Sequence, residues 1–219
     1  MSFFVTPNAD GAFDFTTAGY TVFVLLFIGL LLVGSAIFGS KKKMSVKQLV
    51  FSAMAIALAM VTSMIKIIDM PMGGSVTLLS MLFIVLVGYW YGLGAGLTAA
   101  IAYGVLQLII DPYILSFPQM MVDYLLGFGA LGLSGLFSNK KYGLIKGYLV
   151  GVLGRYFFTF LSGWIFFGMY APETFPNAAV YSLAYNGCYI GAEALITLII
   201  IALPPVSKAL ETVKKQAIS

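Results

Sequence analysis

The chain has 219 residues, of which 61% are hydrophobic and only 9% are charged, whereas soluble domains carry about 25% charged residues. This composition excludes a soluble domain and predicts a multi-pass protein of the cell membrane. One cysteine and no histidine leave no intrachain disulfide and make a zinc site implausible, so we expect no metal and no cofactor. The net charge of +4 comes from lysines at segment ends and does not indicate nucleic-acid binding.

Seven apolar segments follow one another and predict membrane-spanning helices, because a span needs about 20 apolar residues. The predicted segments are 17–38, 46–67, 75–91, 95–110, 119–137, 144–169 and 182–204. The first segment has no positively charged residues before it, so we expect an anchor helix and not a cleaved signal peptide. The predicted fold class is all-α: residues 1–43 form an extracellular segment with one extra transmembrane helix, and residues 44–219 form a six-helix substrate-binding domain.

The lysines predict the orientation of the chain. If all seven segments cross the membrane, ten of the twelve basic residues lie on one side. These ten are Lys41, Lys42, Lys43, Lys47, Lys140, Lys141, Lys146, Lys208, Lys214 and Lys215. The basic side of a membrane protein is cytoplasmic, so we expect the N-terminus outside and the C-terminus in the cytoplasm.

Apart from Lys47 and Lys146, which lie at segment ends, four charged residues fall inside the apolar segments, namely Lys66, Asp123, Arg155 and Glu193. A charge at the membrane centre costs about 2.5–3.5 kcal/mol on insertion scales, and such residues often mark a substrate path. One interpretation is structural, with Arg155 paired to Asp123 or to Glu193. The other places Asp123 in a binding site.

Aromatic and amide residues share the predicted outer position of Asp123. They are Tyr113, Tyr124, Trp164, Phe166, Phe167, Tyr181, Tyr185, Asn186 and Tyr189. Trp164 and Tyr189 also suit an interfacial aromatic belt, but a buried Asn186 needs hydrogen-bond partners. A carboxylate, several π faces and one amide favour a small, flat, cationic heteroaromatic ligand.

Alanines repeat at a spacing of four in the second segment. Ala53 and Ala57 form one such pair, and Ala55 and Ala59 form another. Small residues four apart allow close approach of two helices, either within the bundle or against a partner.

Four stretches resemble the substrate-binding S component of energy-coupling-factor (ECF) transporters, in its thiamine-specific branch. They are MPMGGSVTLLSM (70–81), VDYLLGFGALGLSGLF (122–137), FLSGWIFFGMYAPE (160–173) and YSLAYNGCY (181–189). The resemblance implies a protein that is not an enzyme and that captures thiamine or a related vitamin or precursor with high affinity. It also implies docking through Ala53 and Ala57 onto a transmembrane coupling subunit, with two cytoplasmic ATPases supplying energy.

The resemblance further implies, by position, a set of ligand-binding residues. They are Asp123, Tyr124, Tyr113, Tyr181, Asn186, Thr159 and Phe167. Thr159 stands where the family has a histidine, and Phe167 lies where a tryptophan is expected.

Two other functions remain open from the residues alone. A stand-alone, proton-coupled transporter of a small cationic or heteroaromatic metabolite would use Asp123 and Glu193 as proton carriers. The other function, an intramembrane enzyme, is disfavoured because the chain has no histidine. Ser162 and Thr159 are the only nearby hydroxyl candidates for a nucleophile, and neither has a base beside it.

Overall fold

The computed structural model describes residues 5–7, 13–19, 21–22, 25 and 44–219. Its main helices are α1 (Val46–Ser63), α2 (Ser80–Tyr91), α3 (Leu93–Ile110), α4 (Phe117–Phe137), α5 (Gly143–Phe166), α6 (Ala178–Ala202) and α7 (Pro204–Ile218). Among the described residues, four short strands form two antiparallel pairs: β1 (Val5–Pro7) with β2 (Phe13–Phe15), and β3 (Lys66–Asp69) with β4 (Ser75–Thr77). The 3₁₀ turns Pro71–Gly73 and Gly168–Tyr170 lie in connections.

The bundle has the predicted all-helical membrane architecture. Helices α1, α3, α4, α5 and α6 are long and apolar enough to cross a membrane, and α2 is a shorter apolar helix beside them. The predicted helix 17–38 lies mostly outside the described residues, and the division at residue 43 stays a prediction.

A hairpin replaces the helix ends that the sequence predicted at residues 64–67 and 75–79. Strand β3 pairs with β4, with Lys66 opposite Thr77 and Asp69 opposite Ser75. Pro71 and the glycines after it stop a helix, and the turn needs positive φ angles of 63° at Met72 and 84° at Gly73. Lys66 is therefore a strand residue and does not extend from a helix end.

Helix α4 changes its winding along its length. Residues Met121–Gly127 form a π-helical turn and Ala130–Phe137 a 3₁₀ stretch; π turns are frequent at functional sites. The α4 backbone lies directly against α3, because a Cβ added to Gly104 would lie 2.0 Å from the Tyr124 carbonyl oxygen. This contact fixes the turn that carries Asp123 and Tyr124.

Helix α7 packs across the end of the bundle where the lysines gather. The Tyr91 hydroxyl donates to the Ala217 carbonyl at 3.1 Å, and Lys214 Nζ donates to the Ser138 carbonyl at 2.6 Å. Lys214 Nζ also lies 3.6 Å from the centre of the Tyr89 ring, and desolvation lowers the pKa of Lys214. The lysine-rich end is thus closed, and the open end is the one with the β3–β4 hairpin.

Candidate ligand-binding cavity

A cavity of about 380 Å³ lies at the hairpin end of the bundle, within the size range of small-molecule sites. The structure brings all seven predicted site residues to its wall: Tyr113, Asp123, Tyr124, Thr159, Phe167, Tyr181 and Asn186. That these residues bind a ligand stays a prediction. The geometry of each shows what the cavity offers a ligand.

Asp123 lies on the π turn of α4, and its carboxylate is held by Gln119. Gln119 Nε2 donates to Asp123 Oδ2 at 2.6 Å and to the Tyr113 carbonyl at 3.1 Å. Gln119 Oε1 accepts from Leu115 N at 2.9 Å, and the residue is only 1% exposed. Sequence reasoning missed Gln119, whose signal was an amide one helical turn before Asp123 in an apolar segment.

The Tyr113 loop, residues 111–116, forms part of the roof of the cavity. Its backbone is held by Tyr124, whose hydroxyl accepts from Tyr113 N at 2.8 Å and donates to the Asp111 carbonyl at 3.3 Å. The Tyr113 ring stacks on Phe167, with ring centres 5.8 Å apart and an interplanar angle of 26°. Tyr113 and Phe167 therefore contact each other, and Tyr124 positions the loop that carries Tyr113.

Helix α6 contributes a row of tyrosines. Tyr181, Tyr185 and Tyr189 stand one turn apart with neighbouring ring centres 5.8 and 5.7 Å apart. The Tyr185 hydroxyl donates to the Pro71 carbonyl and accepts from Gly74 N at 3.0 Å, so this helix holds the turn of the hairpin above the cavity.

The belt interpretation fits Trp164 and is wrong for Tyr189. Trp164 is 50% exposed and stacks on Phe160 with ring centres 5.8 Å apart. Tyr189 is 8% exposed and lines the cavity.

The buried amide of Asn186 has partners on its own helix. Asn186 Nδ2 donates to the Ser182 carbonyl at 3.0 Å, and Asn186 Oδ1 accepts from the Tyr189 hydroxyl at 2.9 Å. An amide oxygen has two lone pairs, so Oδ1 keeps one acceptor position. Asn186 therefore has the hydrogen-bond partners that a buried amide needs, and its side chain still lines the cavity.

Arg155 lines the cavity without pairing to either predicted partner. Among the described residues, its guanidinium forms no ion pair with Asp123 or Glu193. Its Cζ lies 4.1 Å from the centre of the Phe128 ring, a cation–π contact, and its buried Nε has no hydrogen-bond partner in the described part of the chain. The structural interpretation of Asp123 as a strut for Arg155 is therefore wrong.

Glu193 caps the start of α2 instead. Its Oε2 accepts from Thr77 Oγ1 at 2.6 Å and from Thr77 N at 3.2 Å. Its Oε1 accepts from Ser80 Oγ at 3.2 Å and from Met81 N at 3.1 Å. A carboxylate at a helix N-terminus is stabilised by the free N–H groups there, so Glu193 links α6 to the junction of β4 and α2.

Helix α5 carries two hydroxyl residues at the cavity, Thr159 and Ser162, the first at the position where the resemblance implies a histidine. Thr159 is buried and its Oγ1 donates to the Arg155 and Tyr156 carbonyls, both at 3.1 Å. The Ser162 hydroxyl has no partner among the residues described. Neither stands beside a histidine, and the described residues contain no cluster of His, Cys, Asp or Glu placed to hold a metal.

An ion-pair network lies at the mouth of the cavity. Lys66 Nζ is 3.0 Å from Asp111 Oδ2 and 3.6 Å from Asp69 Oδ1. The hydrogen bond to Asp111, outweighing partial burial, raises the pKa of Lys66. This network joins the hairpin to the end of α3.

An apolar helical bundle that encloses a carboxylate, stacked aromatic rings and a buried amide defines a membrane-embedded small-molecule binding protein. The family described as thiamine transporter protein matches residues 49–213, and the chain belongs to this family. This membership confirms the resemblance to the thiamine-specific S component, and the chain is a multi-pass membrane transport protein and not an enzyme.

Named relatives and a solved structure agree with this family. The thiamine transporter ThiT of Bacillus subtilis (strain 168) is 33% identical over 168 residues, which are 70% of this chain and 85% of the relative. ThiT of Lacticaseibacillus paracasei is 29% identical over 127 residues, covering 50% of this chain and 63% of that protein. The structure of ThiT from Listeria monocytogenes superposes with a TM-score of 0.63 at 28% identity, covering 78% of this chain and 96% of that one.

Proposed function

We propose that the chain is the substrate-binding subunit of an ECF transporter and that its cavity binds thiamine. The observation that carries this proposal is the position of Asp123 among aromatic rings in a cavity of about 380 Å³, in a chain of the thiamine transporter family. Thiamine joins a permanently cationic thiazolium to an aminopyrimidine. Asp123 supplies a counter-charge, and the Tyr and Phe rings supply faces for stacking and cation–π attraction.

The polar groups around Asp123 also suit the aminopyrimidine. Its amino group donates hydrogen bonds, which the Asp123 carboxylate and Asn186 Oδ1 accept. Its ring nitrogens accept hydrogen bonds, and Arg155 on the same cavity wall is a donor. We therefore propose the seven predicted residues as ligand contacts or supports, with Arg155 added by the geometry and with Tyr124 acting mainly through the Tyr113 loop.

The alanine spacing supports a docking surface for a coupling subunit. Ala55 and Ala59 are buried inside the bundle, whereas Ala53 and Ala57 are exposed on the outer face of α1. Packing inside the bundle accounts for Ala55 and Ala59 only. We propose that Ala53 and Ala57 contact a transmembrane coupling subunit, to which two cytoplasmic ATPases supply energy.

The proposed orientation places the cavity outside and the lysines in the cytoplasm. Lys140, Lys146, Lys208 and Lys215 lie at the end opposite the hairpin and are exposed, as the positive-inside rule requires for a cytoplasmic end. In this orientation the N-terminus is outside, the C-terminus is cytoplasmic, and the cavity faces the source of vitamin.

The geometry of Glu193 argues against a stand-alone proton-coupled transporter. All four of its hydrogen bonds are accepted from donors on the β4–α2 junction, so protonation of the carboxylate would break part of this set. A residue that caps a helix in this way is a poor proton carrier.

Calorimetry with purified protein tests the proposed ligand. We expect heat from thiamine binding at nanomolar to low micromolar concentration, and less affinity for the isolated pyrimidine and thiazole precursors, which each fill part of the cavity. No heat at high micromolar thiamine contradicts the proposal.

Uptake in vesicles separates the two transport mechanisms. Uptake by an ECF transporter should require the coupling subunit and the ATPases, whereas protonophore-sensitive uptake by this chain alone would favour the proton-coupled alternative.

A further inference from the structure

Gln119 joins the proposed counter-charge to the roof of the cavity through one side-chain amide. Its Nε2 group donates to both Asp123 Oδ2 and the Tyr113 carbonyl, at 2.6 and 3.1 Å. Its Oε1 accepts from Leu115 N at 2.9 Å. Both ends of the amide are used, so the side chain cannot be flipped without losing hydrogen bonds at both ends.

Burial makes this arrangement specific. Gln119 is 1% exposed, so water cannot readily replace a lost partner of its amide. Gln119 and Asp123 are one turn apart on α4, where side chains share a helix face. The hydrogen bond occupies Oδ2, which leaves Oδ1 of the carboxylate for other partners.

We propose that Gln119 is a positioning residue that fixes the Asp123 carboxylate and the Tyr113 loop together, and so sets the affinity for a cationic ligand. This inference rests on the proposed function. Gln119 acts mainly through Asp123 and to a lesser extent through the Tyr113 loop, so its removal should weaken binding far more while the carboxylate is present. A residue that merely supports the fold would instead weaken binding by the same factor in any background, since independent effects add.

A double-mutant cycle tests the inference by calorimetry with thiamine. Gln119→Leu should weaken binding about tenfold to a hundredfold in the native background, as expected for a hydrogen bond to a charged group. In the Asp123→Ala background the same change should weaken binding by no more than about threefold. Gln107→Leu is the matched control, because Gln107 also lines the cavity but bonds to Tyr103 and Ser63; its effect should be the same in both backgrounds.

A charge-rescue variant protects the test against a folding defect of Gln119→Leu. Gln119→Glu keeps the side-chain shape and places a carboxylate in contact with position 123. Combined with Asp123→Ala, it should bind thiamine more tightly than Asp123→Ala alone, because it returns a negative charge within about one hydrogen-bond length of the position of Asp123 Oδ2. Equal losses from Gln119→Leu in both backgrounds, or no rescue by Gln119→Glu, overturn the inference. Absence of thiamine binding by the unaltered protein overturns the proposed function instead.

Discussion

Glu193 on α6 accepts two hydrogen bonds from Thr77, one from Oγ1 at 2.6 Å and one from the backbone N at 3.2 Å. Thr77 ends β4, and the hairpin that contains this strand lies above the cavity. The contact therefore connects the helix that carries Tyr185 and Asn186 to the base of the hairpin. It gives an intramembrane carboxylate a structural purpose that does not require proton transfer.

Glu193→Gln should destabilise the protein. The NH₂ group of the new amide would face N–H and O–H donors that now donate to a carboxylate oxygen, so these donors would lose their acceptor. An unsatisfied buried group costs about 1–3 kcal/mol. Thermal unfolding in detergent measures the change. Glu173→Gln, at an exposed loop position, is the control and should leave the transition in place; an unchanged transition for Glu193→Gln would show that the cap is dispensable.

Tyr124→Phe should loosen the roof of the cavity while keeping the aromatic ring. The variant removes the hydroxyl that accepts from Tyr113 N and donates to the Asp111 carbonyl, and each such bond contributes about 0.5–1.5 kcal/mol. We expect about fivefold to thirtyfold weaker thiamine binding, measured by calorimetry. Tyr142→Phe is the control, since Tyr142 is exposed at the start of α5. Equal affinity of Tyr124→Phe and the unaltered protein would exclude this role of the hydroxyl.

Ala57→Trp should separate thiamine binding from coupling. The side chain of Ala57 is exposed on α1, so a large ring there leaves the bundle intact and blocks close approach of a second helix. The isolated variant should bind thiamine normally but fail to copurify with the coupling subunit.

Two alanine variants calibrate the coupling experiment. Ala184→Trp makes the same change at an exposed position of α6 and should still assemble. Ala55→Trp places the ring inside the bundle, where overpacking should destabilise the fold. Normal assembly of Ala57→Trp would remove this face of α1 from the proposed interface.

The apolar segments predicted the bundle because their composition reports burial in lipid directly. They did not predict the β3–β4 hairpin, since Ile67, Ile68 and Val76 extend the apolar runs although Pro71 and Gly73 break the helix. Helix α7 was missed for the opposite reason: it is too polar to span a membrane, and its packing depends on Tyr91 and Ser138 far away in sequence.

The candidate site could be predicted as a set of residues but not as a network. Motif positions identified Asp123, Tyr124 and Asn186, which all line the cavity. The partners of Asp123 and Glu193 could not be predicted from the sequence. Arg155 was the only central cation and so favoured an ion pair, whereas the uncharged side chain of Gln119 gave no comparable signal. Individual hydrogen bonds depend on how each helix is rotated about its own axis. A segment that is apolar on all sides does not show which face points into the bundle.

Thiamine titration of Asp123→Asn tests the central claim most directly, because the substitution removes the negative charge and preserves the shape. Loss of a buried counter-charge costs about 3–5 kcal/mol, so affinity should fall by a factor of about 150 to several thousand. Asp69→Asn, exposed at the hairpin and outside the cavity wall, should bind like the unaltered protein. Undiminished affinity of the Asp123→Asn variant would contradict the assignment of this cavity as the thiamine site.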